Sequence, residues 1–401
     1  MQKWKKNLYA VWLTQFFSLM GFGFGIPFIP FFIQELGVTD PHALKIWTGW
    51  LTSAPAVGMA VMAPVWGLLS DKLGKKIMLL RAMLGGFLAL AGLGLSNSVY
   101  LVLVFRLLQG LLSGTVTSSA ALVASGTPNK NLSYALGFLS SSTFVGYSLG
   151  PAVGGIVADI FGYRASFFIG SAILFAGLLL VIFIIEEPDT TKVEDPKVNK
   201  TSGGGKLSEI ITPSLMIFLL LIFCMRISRT LVSPFLPLIV QDARGTIEGS
   251  SRITGILSGA IGLMSASAGL TLSRLGDKMD RLKLLSILLG IGTFVSLFIN
   301  IFDNFILLFI LLPLTYFFIG GIEPLLMSIT SEKVEAKNRG LLFGIQTAVG
   351  SSAWFLSPIL GSWAAVKFST RSVFVFFTFF LLLTWGLSMF TKYKKAKKIC
   401  I

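Results

Sequence analysis

The stretch Gly146-Tyr-Ser-Leu-Gly150-Pro151-Ala-Val-Gly154-Gly155 lies inside a long apolar run and decides how this sequence is interpreted. Glycine and proline are costly inside a helix, because each Gly gives up about 1 kcal/mol and each Pro about 3 kcal/mol relative to Ala. In a lipid bilayer they are tolerated where a neighbouring helix packs closely against the exposed backbone. The stretch therefore predicts a membrane-spanning helix that approaches a partner helix closely and bends.

The composition also indicates a membrane protein. Hydrophobic residues make up 54% of the 401 residues and charged residues 13%, whereas soluble domains carry about 25% charged residues. The first apolar run continues past Pro27 and Pro30 without a small-residue cleavage site, so we expect it to remain as the first span rather than to be a signal peptide. Apolar runs of about 20 residues, the length that crosses a bilayer, recur along the chain. We predict twelve spans, at 8–34, 47–70, 77–96, 99–124, 133–160, 163–185, 210–240, 253–275, 283–301, 304–330, 339–366 and 371–391.

The net charge of +15 is distributed unevenly along the chain. With both termini in the cytoplasm, 24 of the 33 Lys and Arg fall in cytoplasmic segments and only six in external ones. This positive-inside bias reports orientation, so we predict an inner (plasma) membrane protein with cytoplasmic termini and no nucleic-acid partner. The Lys-rich C-terminal tail is suited to contact anionic lipid of the bilayer. The external cations are Lys45, Arg164, Arg244, Arg252, Lys367 and Arg371.

The residues that usually carry catalysis or bind metals are scarce. Cys224 lies in a predicted span, Cys400 lies in the tail, and His42 is the single histidine. No metal-ligand spacing, His-based triad or phosphate-binding loop is present in the sequence. We therefore predict that the protein is not an enzyme and has neither a metal site nor a cofactor.

The two halves of the chain repeat one plan. Residues 186–208 form the only long polar stretch and are predicted to be a cytoplasmic linker between six-helix bundles at 1–185 and 209–401. Residues on five different spans or adjoining loops recur at an offset of 206–207 residues. Internal repeats in transporters place the substrate site near the membrane midplane, between halves that rock to give alternating access. The recurring residues are Pro27, Pro30, Gln34, Thr48, Gly49, Asp71, Lys72, Gly137, Pro151 and Arg164, matched by Pro234, Pro237, Gln241, Thr254, Gly255, Asp277, Lys278, Gly344, Pro358 and Arg371.

The loop after the second span reads Gly67-Leu-Leu-Ser-Asp71-Lys72-Leu-Gly74-Lys75-Lys76. A carboxylate at the end of a span can pair with basic residues and cap the N-terminus of a neighbouring helix. Asp71 and its basic neighbours are thus candidates for a latch that holds one conformation. The alternative is a basic turn that only sets topology.

Charged residues inside spans are costly and usually face a cavity or a partner. Arg106 occupies the fourth span, in Arg106-Leu-Leu-Gln109-Gly110, and could equally be a structural residue bonded to backbone carbonyls. Arg226 and Arg229 in the seventh span are three residues apart and so share a helix face. We predict that this face lines a wet cavity, where the pair contacts substrate or balances acidic groups.

Glu323, in Gly320-Gly321-Ile-Glu323-Pro324, is the one acidic residue well inside a predicted span. A low-dielectric site favours proton binding to a carboxylate, and a nearby Arg opposes it. Glu323 is therefore the candidate protonation site, and the alternative is a fixed ion pair with Arg226 or Arg229. Three internal Arg against one internal Glu favour neutral, zwitterionic or anionic substrates over lipophilic cations.

Aromatic residues and methionines near the expected cavity suit a broad-specificity apolar pocket. Tyr147, Met225 and Trp354 are the candidates for contact with substrate. In a chain with 35 Phe, however, any one large apolar side chain is more often buried in packing or turned to lipid.

Three motifs together resemble those of the major facilitator superfamily. The stretch 146–155 is similar to the antiporter motif G-x-x-x-G-P-x-x-G-G, the loop 67–76 to G-x-x-x-D-[RK]-x-G-[RK]-[RK], and residues 106–110 to R-x-x-Q-G. Trp4-Lys-Lys-Asn-Leu and Pro27-Phe-Ile-Pro30 resemble a bacterial multidrug-resistance branch of twelve-span drug:proton antiporters. The resemblance implies an all-α fold of two pseudo-symmetric six-helix bundles, a proton gradient as energy source, and a role in proton coupling for Arg106.

The sequence thus predicts a monomeric exporter that exchanges protons for small amphipathic compounds or drugs. In this mechanism the antiporter motif residues Gly146, Gly150, Pro151, Gly154 and Gly155 let the fifth span pack and bend. One alternative is an exporter or flippase of a single solute, such as a lipid precursor, a sugar or a metabolite. Another is a membrane sensor or scaffold that transports nothing.

Overall fold

The computed structural model describes residues 2–188, 212–276, 278–302, 304–334 and 338–399. It divides into two compact units, Met1–Val198 with Leu236–Gly259, and Asn199–Phe235 with Ala260–Ile401. These units differ from the predicted halves, because Leu236–Gly259 packs with the N-terminal residues rather than with the C-terminal ones. Of the predicted linker 186–208, residues 189–208 lie outside the described part of the chain.

Eight α-helices precede the linker, and local sequence explains where several of them begin and end. The Asp40 carboxylate accepts a hydrogen bond from the Ala43 amide at 2.7 Å, and Ser98 Oγ accepts one from the Leu101 amide at 3.3 Å, so both residues are N-caps. Gly74 and Gly162 adopt positive φ values of 95° and 83° and separate consecutive helices. The helices are α1 (Lys3–Gly25), α2 (Ile29–Glu35), α3 (Pro41–Leu73), α4 (Lys75–Leu95), α5 (Val99–Leu112), α6 (Thr115–Gly126), α7 (Leu132–Phe161) and α8 (Tyr163–Phe183).

Eight further α-helices are described after the linker. Thr212 caps the first of them by accepting a hydrogen bond from the Leu215 amide, and Asn304 caps another by accepting from the amides of Ile306 and Leu307. The helices are α9 (Pro213–Leu231), α10 (Leu236–Arg244), α11 (Ser250–Leu275), α12 (Arg281–Ile301), α13 (Phe305–Gly320), α14 (Ile322–Ser331), α15 (Arg339–Lys367) and α16 (Ser372–Ile399).

Eleven helical segments in the described residues are long and apolar enough to cross a membrane. They coincide with eleven of the twelve predicted spans to within a few residues. The predicted span at 339–366 is also a helix, α15, but it is not among the eleven, and its sequence includes Gln346, Thr347, Ser351 and Ser352. The predicted all-α membrane fold is confirmed.

Four of the spans are broken, and the breaks follow the internal repeat. The first span is interrupted by a 3₁₀ turn that contains Pro27, and the seventh by a turn at 232–235 that contains Pro234, 207 residues later. The fourth span breaks at Gly114, where φ is 126°, and the tenth breaks at Gly321, again 207 residues later. Every third span is therefore discontinuous, which frees backbone groups and helix termini inside the membrane segment.

Arg164 and Arg371, which are equivalent in the repeat, make the same kind of contact. Arg164 Nη1 donates to the Gly94 carbonyl at 2.8 Å, and Arg371 Nη2 donates to the Phe302 carbonyl at 2.7 Å. Each guanidinium thus satisfies a free carbonyl at the C-terminal end of a helix, α4 in one case and α12 in the other. The repeat seen in the sequence extends to how individual helix ends are capped.

Candidate functional site

The second unit contains a compact ionic cluster of Arg226, Arg229 and Glu323, here called the Glu323 cluster. Glu323 Oε1 accepts hydrogen bonds from Arg226 Nε at 3.0 Å and from Arg226 Nη2 at 2.5 Å. Glu323 Oε2 accepts one from Arg229 Nη1 at 3.0 Å. Both carboxylate oxygens therefore have a cationic partner, and the prediction that the two arginines share one face of the seventh span is confirmed.

Three helices position the Glu323 cluster. The arginines lie on α9, while Glu323 lies in the first turn of α14, just after the break at Gly321. The break thus places Glu323 at a helix N-terminus, in contact with both arginines. Gly350 on α15 leaves room for Arg226, because a Cβ atom at Gly350 would collide with the guanidinium.

Hydrogen bonds to α9 hold the backbone that carries the arginines. The Tyr316 hydroxyl, on α13, donates to the Arg229 carbonyl at 2.8 Å, and Ser357 Oγ, on α15, donates to the Ile227 carbonyl at 2.9 Å. Tyr316 and Ser357 are both buried. Neighbouring helices α13 and α15 thus support the part of α9 that carries the two arginines.

The side chains of the cluster are only partly buried. Arg226, Arg229 and Glu323 expose 27%, 28% and 26% of their side-chain surface. With Glu323 ionised, the cluster carries a charge of +1; a proton on Glu323 would raise it to +2 and weaken both ion pairs.

Arg106 in the first unit has a different environment. It is 3% exposed, and its Nε donates to the Leu51 carbonyl at 2.8 Å while its Nη1 donates to Gln109 Oε1 at 2.6 Å. Among the described residues it has no acidic partner. Gly110 packs against Pro55 of α3, which brings α3 and α5 close together around this side chain. Arg106 and the Glu323 cluster belong to different units.

The glycines of the stretch 146–155 pack α7 against α1, as the sequence predicts. A Cβ atom on Gly146 would lie 2.7 Å from Leu19 Cβ, and one on Gly150 would lie 2.8 Å from the Met20 carbonyl and 2.9 Å from Gly23 Cα. Gly154 faces the backbone of Phe24 in the same way. Helix α7 is continuous through Pro151, and bending at this residue remains a prediction.

A second face of α7 packs on the start of α11, within the first unit. A Cβ atom on Gly155 would lie 2.5 Å from the Ser251 carbonyl and 3.0 Å from Gly255 Cα. Nearby, the Asp159 carboxylate accepts a hydrogen bond from the Gly249 amide at 2.8 Å, and the hydroxyls of Tyr163 and Ser251 are 3.0 Å apart. The small-residue and polar contacts explain why Leu236–Gly259 packs with the N-terminal residues.

Gln34 and Gln241, which are equivalent in the repeat, bind each other. Each Nε2 donates to the other side chain's Oε1 at 3.0 Å. The pair joins α2 to α10, again within the first unit.

A carboxylate caps the N-terminus of α4, directly after the loop that follows α3, and it belongs to Glu187. The Glu187 carboxylate accepts hydrogen bonds from the amides of Lys75 and Lys76, both at 2.7 Å, and so caps α4. Glu187 follows α8 and was predicted to be linker. The side chain of Asp71 lies outside the described part of the structure. Lys72 is exposed, and a Cβ atom on Gly67 would meet nothing within 4 Å.

The three candidate contacts with substrate differ in exposure. The Tyr147 side chain is 55% exposed, Trp354 is intermediate, and Met225 is 1% exposed and packs in the second unit. The structure thus leaves Tyr147 largely unpacked and encloses Met225, and their contact with substrate stays a prediction.

Sequence reasoning missed a further, partly buried cation, Arg81. Its guanidinium lies 3.9 Å from the centre of the Trp66 ring and donates to the Ser113 carbonyl at 3.1 Å, while Trp66 Nε1 donates to the Leu111 carbonyl at 2.7 Å. Both side chains thus satisfy free carbonyls at the end of α5, beside the break at Gly114. Arg81 falls within the predicted span 77–96, and a charged residue inside a span is itself the signal that could have identified it.

No group of three or more His, Cys, Asp or Glu side chains that could hold a metal ion occurs in the described ranges. In the Glu323 cluster both carboxylate oxygens are bonded to the two arginines. The chemistry that this arrangement can perform is the exchange of a proton or a charged group at one carboxylate.

Comparison with known proteins establishes the family. The sequence profile described as Major Facilitator Superfamily matches residues 11–225 and 218–399. The chain belongs to the major facilitator superfamily. As a member of this family it is a multi-pass membrane transporter and not an enzyme.

Relatives and solved structures cover nearly the whole chain. It is 30% identical over 384 residues to the multidrug resistance protein MdtG of Proteus mirabilis, covering 93% of this chain and 92% of the relative. It is 29% identical over 400 residues to the multi-drug resistance efflux pump PmrA homolog of Lactococcus lactis, covering 99% and 98%. Its fold is similar to that of a bacterial homologue of the human lysosomal transporter Spinster, solved in an inward-facing and unoccupied conformation, with a TM-score of 0.81, 14% identity, and coverage of 99% and 98%.

Proposed function

We propose that the protein is a proton-coupled efflux transporter that exports small amphipathic compounds or drugs by alternating access. Relatives named for multidrug resistance align over nearly the whole chain, and the repeated helix breaks are of the kind found in alternating-access carriers. We further propose that it acts as a monomer in the cell membrane with cytoplasmic termini, and that the proton gradient is its energy source.

The observation that supports this function best is the position of Glu323 between two arginines in a partly exposed site. A proton and the two guanidiniums compete for the same carboxylate oxygens. Proton binding would release Arg226 and Arg229, and proton loss would draw them back. We assign Glu323 as the proton carrier, and Arg106 as a fixed positive charge that supports coupling from the first unit. Arg226, Arg229, Met225, Tyr147 and Trp354 are assigned as contacts for substrate.

The charge of the Glu323 cluster fixes the sign of the coupling. Protonation raises the cluster from +1 to +2, which weakens the binding of a cationic substrate and strengthens that of an anionic one. A cation therefore competes with the proton, as an antiporter requires, whereas an anion binds together with the proton. The sequence favours neutral, zwitterionic or anionic substrates, and of these an anion conflicts with proton antiport at Glu323. We therefore propose antiport of neutral or cationic amphiphiles.

One observation favours a second function. Even with Glu323 ionised the cluster keeps a positive charge, and a carboxylate or phosphate group could replace Glu323 between the guanidiniums. The protein would then be a carrier for one anionic solute, with the proton moving in the same direction as that solute.

Inverted membrane vesicles with an acid interior distinguish these functions. Lipophilic cations and anions are added separately to vesicles that contain wild type, Glu323→Gln or the control Glu332→Gln, and the luminal pH is followed with a dye. Glu332 is a suitable control, because it pairs with Arg281 and its side chain is 62% exposed. We expect cations to cause proton loss from the lumen in wild type and in the control, but not in Glu323→Gln.

Other outcomes are equally informative. Acidification of the lumen on addition of an anion, again dependent on Glu323, would support the anion carrier instead. Proton loss of equal size in all three proteins would refute Glu323 as the proton carrier.

A further inference from the structure

A groove lies in the first unit between the beginning of α1 and the beginning of α7. It encloses about 330 Å³ and is lined by Trp4, Lys5, Leu8, Tyr9, Asn131 and Tyr134. None of these residues has a role in the proposed transport mechanism. The groove therefore calls for a separate explanation.

The groove combines aromatic walls with one cation. The Tyr9 and Tyr134 rings both pack on Phe138, with centroid distances of 5.5 Å and 6.2 Å, and Lys5 Nζ lies 5.6 Å from the centre of the Trp4 ring. Tyr9 and Tyr134 are 49% and 60% exposed. Trp and Tyr are enriched where a membrane-spanning helix meets the headgroup layer, because one part of each side chain is apolar and another is polar.

Lys5, the lysine in the groove, differs from the neighbouring lysines in having no acidic partner among the described residues. Lys3 and Lys6 lie 3.7 Å and 3.6 Å from the Glu186 carboxylate. Lys5 has no acidic partner among the described residues and is exposed. The groove thus presents one unneutralised positive charge beside aromatic rings, which suits a ligand with one negative charge.

An apolar stripe leads away from the groove along α7. Tyr134, Phe138, Val145 and Leu149 succeed one another at spacings of four, seven and four residues, so all four lie on one face of the helix. Val145 and Leu149 are 37% and 42% exposed. A ligand with a charged head and an apolar tail would match both the groove and the stripe.

We propose that this groove binds the headgroup of an anionic phospholipid from the cytoplasmic leaflet, with Lys5 on the phosphate and the acyl chains along α7. The inference rests on the proposed orientation, in which the start of α1 is cytoplasmic, and not on the efflux function. Anionic lipid is concentrated in that leaflet, and a soluble anion would gain nothing from the exposed apolar stripe. A bound lipid would bridge the ends of α1 and α7, the two helices that the glycine stretch packs together.

The test uses the purified full chain in a neutral detergent and measures its melting temperature as lipid is added. The probes are dioleoyl phosphatidylglycerol, dioleoyl phosphatidylcholine and inorganic phosphate. Lys5→Gln removes the charge in the groove, and Lys6→Gln is a matched control because it removes the same charge one residue away. We expect phosphatidylglycerol to stabilise wild type and Lys6→Gln more than the other two probes do.

For Lys5→Gln we expect the half-maximal effect to require roughly fivefold more phosphatidylglycerol, the factor that corresponds to about 1 kcal/mol per Lys at an anionic surface. Equal losses in Lys5→Gln and Lys6→Gln would show general charge attraction and overturn the proposal, as would equal stabilisation by the two lipids or by free phosphate. Should Lys5→Gln fail to fold, Tyr134→Leu tests the aromatic wall, and unchanged lipid selectivity in that variant would likewise overturn it. Since binding is measured without transport, its result is independent of the efflux assay.

Discussion

Each unit of this transporter buries arginine within membrane-spanning helices, but the two units stabilise the charge differently. Arg106 in the first unit is almost fully buried and bonds to a backbone carbonyl and a glutamine amide. Arg226 and Arg229 in the second unit remain a quarter exposed and share the carboxylate of Glu323. Neutral partners cannot titrate, whereas a carboxylate can. The first arrangement holds a positive charge between neutral partners, and the second is the one that we propose a proton changes.

Replacing arginine by lysine should distinguish the two arrangements, and it is the change for which we expect the largest effect. Arg106 uses two nitrogens of its planar guanidinium, so Arg106→Lys loses at least one charge-assisted hydrogen bond. We expect efflux to fall about tenfold or more, in line with a loss of roughly 1.5–3 kcal/mol. Arg229 makes one contact with Glu323 through one nitrogen, and Arg229→Lys should cost less than about fivefold. Initial efflux rates at matched expression test this, and equal losses would show that both sites depend on guanidinium geometry.

Changing the neutral partner of Arg106 tests the next largest effect. Gln109→Leu leaves a buried guanidinium without one acceptor, and we expect the free energy of unfolding to fall by roughly 1–3 kcal/mol. Gln109→Glu restores an acceptor and gives Arg106 a titratable carboxylate as its partner. Melting temperatures across pH should then vary more for Gln109→Glu than for wild type. An unchanged pH profile would contradict the view that only the partner's chemistry separates the two units.

Much of this arrangement could be read from the sequence, because it depends on features local to one helix. The spacing of Arg226 and Arg229 places them on one helix face, and Glu323 stands out as an acid inside a span. An ion pair between Glu323 and one of these arginines was one of the two alternatives that the sequence offered. The capping of α4 by Glu187 could not be foreseen, since it joins residues that are 111 and 112 positions apart. The association of Leu236–Gly259 with the N-terminal residues likewise depends on contacts between distant glycines.

A smaller effect comes from the room that Gly350 leaves for Arg226. A methyl group at Gly350 would displace the guanidinium from Glu323, and we expect Gly350→Ala to lower efflux about fivefold, because the lost interaction is partly solvent-screened. Gly344 lies on the same helix and has open space around it, so Gly344→Ala is the matched control. Equal rates for the two variants would mean that Arg226 does not need its observed position.

The smallest expected effect concerns the backbone that carries Arg229. Tyr316→Phe removes the hydroxyl that donates to the Arg229 carbonyl, which should lower the free energy of unfolding by about 0.5–1 kcal/mol. Because the ion pairs remain, substrate-driven proton movement should be unchanged in vesicles. Loss of proton coupling in this variant would make Tyr316 part of the proton-binding group rather than a support for it.

The contact between Gln34 and Gln241 has the symmetry of a contact across the two-fold axis of a homodimer. Two residues that occupy equivalent places in the repeat meet, and each offers the other the same donor and the same acceptor. Such a contact is self-complementary and carries no net charge, so neither pH nor ionic strength alters its strength directly. Breaking it costs two neutral hydrogen bonds that water can replace, on the order of 1–3 kcal/mol in all. The joint between α2 and α10 is therefore weak enough for thermal motion to open and indifferent to the proton gradient that we propose as the energy source.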